Sequence, residues 1–240
     1  MNQIQDPLNH KFPPEIVSHI FTLCLPQVPP LHHHGEIQEE WAIPLFLGAI
    51  CRKWRHIAWS SPRLWTTVVV HISSRMVKQL GGSLPQLVTE WLGQSGMLPL
   101  TIQFSADRLK ERNEGYDEVK SLACLIIDIL NRHSECWQNL DLNLDVDSYT
   151  QKFNGSSELS NLRSLSFNGA VSGLCLPAFL TEIQPSSQRS TRRTSHSHPS
   201  FFSFTGLNVS WENITHIILQ YTDTFTCVDV AEKAHRLQVF

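Results

Sequence analysis

The sequence predicts a mixed fold, α+β or α/β, in which a small helical module at the N-terminus precedes a longer series of strands and helices. Three observations carry that expectation. Two segments near the start, around residues 13–23 and 44–58, set apolar side chains at helical spacing. From residue 66 onward, short β-branched or alternating apolar/polar runs recur. Amphipathic stretches of helical period fill several of the intervals between them.

The first helix is predicted to start at Pro13-Pro14, where a missing N–H costs nothing, with Glu15 near the positive end of the helix dipole. Ile16, Ile20 and Leu23 fall at i, i+4 and i+7, and Val17 and Phe21 widen the stripe. Pro26 and Pro29-Pro30 end it. A second helix is expected from about Pro44, continuous over about three turns, with Leu47, Ile50, Cys51, Trp54, Ile57 and Ala58 on its apolar side. Arg52, Lys53, Arg55 and His56 take the other face. Ser61-Pro62 reads as an N-cap followed by proline at the first helical position, opening a short turn through Arg63-Leu64-Trp65. Three helices this short and apolar bury too little surface by themselves, so they need the rest of the chain or a partner.

Phe12-Pro13-x-Glu15-Ile16-x-x-x-Ile20 resembles the Leu-Pro-x-Glu-Ile first helix of the F-box family. Ile50-Cys51-Arg52-Lys53-Trp54-Arg55-x-Ile57-Ala58 is similar to that family's second helix, and Ser61-Pro62-x-Leu64-Trp65 to its closing turn. Phe12 stands where leucine is usual, and residues 25–44 form a long insertion, in the manner of the fungal branch. The resemblance implies an F-box-like, adaptor-binding domain over residues 10–66. It also implies a Skp-type adaptor as partner, held by Phe12, Pro13, Ile16, Ile20, Leu23, Leu47, Cys51, Trp54 and Trp65, and through it a cullin. The function implied is that of the substrate-recognition subunit of a ubiquitin ligase complex of the Skp–cullin–F-box (SCF) type, a receptor that is not itself an enzyme, with an unidentified protein as its target. Two rivals stand beside it: an F-box-fold interaction scaffold acting outside a ligase, and a truncated, non-functional family member.

The second region, residues 67–240, reads as follows. Thr66-Thr67-Val68-Val69-Val70-His71-Ile72 is a strand. Residues 75–93 form an amphipathic helix interrupted at Gly81-Gly82 and Pro85, with Leu84, Leu87, Val88, Trp91 and Leu92 inward. Leu98-Pro99-Leu100-Thr101-Ile102-Gln103-Phe104 alternates as a strand does. A charged loop over 107–117 leads into a helix over 119–133 with Leu122, Leu125, Ile126, Ile129 and Leu130 on one face. Strands then follow at 140–144, 162–167 and 214–219, and a helix pattern at 228–237. Leu142 to Leu165 is 23 positions and Leu165 to Ile217 is 52, one and two periods of an irregular leucine-rich-repeat-like strand/helix solenoid. Another α/β arrangement remains open.

On that period a further strand belongs near 189–194, but residues 184–200 are rich in serine, arginine and histidine and predict a disordered loop. Three readings stand for it: a phosphorylated segment, a solvated loop, or a replaced repeat from an altered reading frame or retained intron. The end at Phe240, with no polar cap apparent, reads as an incomplete array.

Composition limits the function classes. The 240 residues are 41% hydrophobic and carry a net charge of −3, with a mean hydropathy of −0.16, which suits a packed domain and points to neither nucleic acid nor membrane as a partner. No run approaches the ~18 apolar residues of a membrane span, and the N-terminus lacks signal-peptide character, so an intracellular location, cytoplasmic or nuclear, is expected. The six cysteines are scattered and read as reduced thiols. His32-His33-His34 has no companion ligand at metal spacing, Glu39-Glu40 reads as a solvated helix start, and Asp141, Asp145 and Asp147 lack an EF-hand glycine and glutamate. No Ser/His/Asp order, phosphate-binding glycine loop or HExxH occurs. No catalytic, metal or cofactor residue is predicted.

Overall fold

The computed structural model describes residues 11–26, 42–107, 113–144, 149, 152–153, 161–168, 211–220 and 224–238. The chain opens with three short helices, α1 (Pro14–Leu23), α2 (Ile43–Ile50) and α3 (Arg52–Trp59), and a 3₁₀ turn at Pro62–Trp65. Pro13 is the extended N-cap of α1 and Glu15 occupies its first turn, as the sequence predicts.

The expected continuous second helix is two helices. Cys51 is extended (φ −157°, ψ 168°) and separates α2 from α3. Its Sγ accepts from the Trp54 N–H at 3.4 Å, so the thiol caps the helix it was expected to pack within. The break folds α3 back on α2, which a straight helix could not do. Arg55 Nε donates to the Gly48 carbonyl at 2.8 Å, satisfying an orphan acceptor in the last turn of α2. A Cβ on Gly48 would stand 2.2 Å from the Trp59 ring, so only glycine allows this approach.

Val17, Phe21, Leu47, Ile57, Ala58, Leu64 and Trp65 form the core of this helical unit. Phe21 meets the half-buried Trp54 with ring centroids 4.8 Å apart. The Trp65 indole N–H donates to the Ala58 carbonyl at 2.9 Å, closing the end of α3. Ser61 Oγ donates to Ile57 O at 2.6 Å.

The second region is built on β1 (Thr67–Ile72), β2 (Leu100–Ala106), β3 (Trp137–Asn143), β4 (Ser164–Asn168) and β5 (His216–Gln220). These pair in chain order as one parallel sheet. Helices α4 (Ser74–Leu80) and α5 (Leu84–Ser95) follow β1, α6 (Tyr116–Asn131) follows β2 and α7 (Thr224–Lys233) follows β5. The predicted interruption between α4 and α5 is present.

Alternation sorts the sheet into two faces. Val68, Val70, Ile72, Ile102, Phe104, Leu140, Leu142, Leu165, Phe167 and Ile217 are buried, in one core with Leu84, Val88 and Leu92 of α5 and Val119, Ala123, Ile126 and Leu130 of α6. The opposite positions read across the strands as Thr67, Thr101, Asn139, Ser164, His216 and as Val69, Gln103, Asp141, Ser166, Ile218.

Two helix faces are narrower than expected. Leu87 and Leu125 were placed inward and are exposed, because α5 buries its 84/88/92 line and the buried arc of α6 centres on Val119, Ala123, Ile126 and Ile127. The inferred repeat phase also needs correction. Leu165 pairs directly with Ile217, so the 52 positions between them separate neighbouring strands and leave no place between β4 and β5 for another. Residues 184–200, His32-His33-His34, Glu39-Glu40, Asp145 and Asp147 lie outside the described residues.

Candidate interaction face on the helical unit

Helix α1 is apolar on two sides. Val17 and Phe21, one turn apart, point into the core. Ile16, Ile20 and Leu23 follow at steps of four and three, which keeps them along a second line of the same helix, and Phe12 lies just before the extended N-cap Pro13. Phe12 and Ile16 are exposed, Ile20 is half-buried and Leu23 is 72% exposed. The single broad stripe read from the sequence is therefore two stripes with different destinations.

Helix α2 repeats the division. Pro44, Leu47 and Gly48 are buried. Phe46 and Ile50, again one turn apart, are exposed, Phe46 at 53%. Trp59 at the end of α3 is exposed in part, while its ring meets Trp65 edge-on at 5.0 Å. Of the eleven large apolar side chains exposed among the described residues, Phe12, Ile16, Leu23, Phe46, Ile50 and Trp59 belong to this unit.

The nine side chains expected to form one surface thus divide. Phe12, Pro13, Ile16 and Leu23 are exposed, and Ile20, Cys51 and Trp54 are half-buried. Leu47 and Trp65 lie inside the unit's own core, so they support the outer face from behind instead of forming part of it. The sequence reading missed Phe46 and Trp59 and turned Ile50 inward. Ile50 was assigned on the premise of an unbroken helix through Cys51, and once that premise fails the Phe46/Ile50 spacing stands by itself as an outward pair.

Polar groups frame the unit. Arg52, Lys53, Arg55, His56 and Arg63 are exposed, and Ser18 and Ser61 share a hydrogen bond of 2.7 Å. Trp91 of α5 joins the helical unit to the sheet: its ring meets Trp65 edge-on at 4.9 Å and its indole N–H donates to Thr67 O at 3.1 Å. The two resolved shifts in acidity lie elsewhere. Burial, helped by Arg132, holds His133 below the usual histidine value, and burial with Glu135 beside it pushes the Cys136 thiol up.

Among the described residues no group of three or more His, Cys, Asp and Glu could hold a metal ion, and no helix is long and apolar enough to cross a membrane. Cys24, Cys124 and Cys136 are free thiols. The fold and this face define a class: a mixed helix–strand protein, with a parallel five-stranded sheet, whose N-terminal helices turn apolar groups both inward and outward. No family model, curated protein or solved structure matches the chain.

Proposed function

We propose that the chain is the substrate-recognition subunit of an SCF-type ubiquitin ligase, docking a Skp-type adaptor through residues 10–66 and a protein target through the sheet region. The observation that carries this reading is the exposed apolar pair Ile16 and Leu23 of α1, with Phe12 just before the helix and Phe46 and Ile50 of α2. These side chains have no use in the unit's own core, and their burial by a partner would remove a large apolar area from water. The resemblance of Phe12-Pro13-x-Glu15-Ile16 and Cys51-x-x-Trp54-Arg55 to F-box helices names the kind of partner.

Residues 67–240 are read as an irregular leucine-rich-repeat-like solenoid. Parallel strands in chain order, with helices against one face and small polar side chains on the other, support that reading. A target held there would be modified by proximity, because tethering a lysine beside a charged carrier raises its effective concentration.

The test is co-expression with a Skp-type adaptor and a cullin. The expected result is stoichiometric capture that Ile16→Asp with Leu23→Asp abolishes without changing the thermal midpoint. Adaptor capture with no cullin would favour the scaffold reading. Absence of capture by a cooperatively folding chain would overturn the ligase-receptor reading and favour an adaptor-free scaffold.

A further inference from the structure

The structure joins three residues that the sequence keeps apart. His71 is the fifth residue of β1 and pairs in register with Ser105 of β2. Both lie on the sheet face opposite the buried Val70, Ile72, Phe104 and Ala106. Asp107 follows two positions after Ser105 and therefore returns toward the same face, at the carboxyl ends of two adjacent parallel strands.

Ser105 Oγ is 2.9 Å from His71 Nδ1. The other ring nitrogen, Nε2, is 3.3 Å from Asp107 Oδ1. The second carboxylate oxygen accepts the Ser74 backbone N–H at 3.3 Å. The Asp107 N–H donates to Ile72 O at 2.8 Å, which fixes the backbone of Asp107 against the end of β1. A carboxylate 3.3 Å from Nε2 favours a proton on that nitrogen, and in that tautomer Nδ1 is the acceptor for the serine hydroxyl. The chain of contacts runs nucleophile, base, orienting acid. His71 and Asp107 keep about a third of their side-chain surface exposed, so both are open to water.

We propose that His71, Ser105 and Asp107 form an acyl-transfer site acting on small, unhindered carboxylic esters. Ser105 Oγ attacks the acyl carbon while its proton passes to His71 Nδ1. The C–O bond to the alcohol breaks, and the departing oxygen takes that proton from His71. Water then attacks the acyl-serine with the same nitrogen as base, the ester bond to Ser105 breaks, and the proton returns to its hydroxyl. The net change is ester plus water to acid plus alcohol, with no redox partner. Asp107 is a positioning residue, holding the imidazole in the tautomer that the first step needs. The site shares no residue with the apolar face of α1 and α2, so its fate and that of the adaptor reading are independent.

The experiment treats the full chain with a fluorophosphonate probe, maps the adduct by peptide mass spectrometry, and follows p-nitrophenyl acetate hydrolysis. The adduct is expected on Ser105. Ser105→Ala should remove it and lower the ester rate at least ~10-fold with an unchanged thermal midpoint. Asp107→Asn should lower kcat by on the order of 10-fold or more while leaving KM in place, and Asp107→Glu should restore part of it. A wild-type chain that stays unlabelled at Ser105, or hydrolyses the ester no faster than Ser105→Ala, would overturn the proposal and leave a polar cross-strand ladder pinning β1 to β2.

Discussion

The helical unit and the sheet region use apolar side chains in opposite ways. In the sheet, each strand sends its alternate apolar residues into one core, and the outward positions are largely Thr, Ser, Asn and Gln. In the helical unit, α1 and α2 each carry one apolar line inward and another outward. Burial therefore distinguishes a region whose inward strand side chains meet in one core from one whose helices also leave apolar side chains exposed. The difference also explains why so few residues can hold the N-terminal unit together. Its small core is supported by specific contacts such as Arg55 on Gly48 O and Trp65 on Ala58 O, where the sheet region relies on bulk burial.

The largest expected effect lies in the sheet region. Phe104 is fully buried on the inner strand β2, with its ring 6.1 Å from that of Phe153. Phe104→Ala should lower stability by ~3–5 kcal/mol, read as a fall in the urea midpoint. In the helical unit, Gly48→Ala meets the Trp59 ring and should cost about 1–3 kcal/mol, and it should also weaken adaptor capture by disturbing the seat of α2. Gly93 makes the opposite case. It lies inside α5 with nothing near a new Cβ, so Gly93→Ala should raise stability by about 0.5–1 kcal/mol in the same assay. Ile16→Asp alone should leave stability within about 0.5 kcal/mol, since the side chain is already in water, while reducing adaptor capture. A large loss of stability there would erase the contrast between the two regions.

Acidity gives a final, smaller handle. Burial and Arg132 favour the neutral form of His133 in the folded chain. Above the ordinary histidine value of about 6.5 the group is neutral in both states and contributes no pH dependence. As pH falls through that value the unfolded chain takes up the proton first, so stability declines on acidification until the folded-state value is passed. The fall in thermal midpoint between pH 7.5 and 5.5 should thus be shallower in His133→Asn than in the wild type.

Much of the sheet region was legible because period-two alternation is a strong local signal. Leu140/Leu142 announced a strand by alternation and the β-branched run of residues 66–72 announced another, while which of its valines face inward emerges only from the structure. What the sequence could not convey was which strands meet. The jump from Leu165 to Ile217 looked like two periods, and only the register revealed neighbours. The helical unit misled in a different way. Cys51 sits at a helical phase, so periodicity carried the helix across it, and the tertiary fold-back enabled by Gly48 overrode that pattern. Ser105, His71 and Asp107 stayed invisible for a related reason: 34 positions separate the imidazole from the hydroxyl, and only strand pairing closes the gap.

The direct pairing of β4 with β5 has a consequence for the order of assembly. Register partners lie 34 positions apart between β1 and β2, 38 between β2 and β3, 25 between β3 and β4, and 52 between β4 and β5. Loop-closure entropy rises only logarithmically, so the last junction is disfavoured by merely ~0.7 kcal/mol relative to the shortest. Its contacts are nonetheless the least local in the sheet, and non-local contacts form late. On these separations the first four strands should pair before β5 and α7 close the edge, an expected order that late hydrogen-exchange protection of residues 216–220 would check.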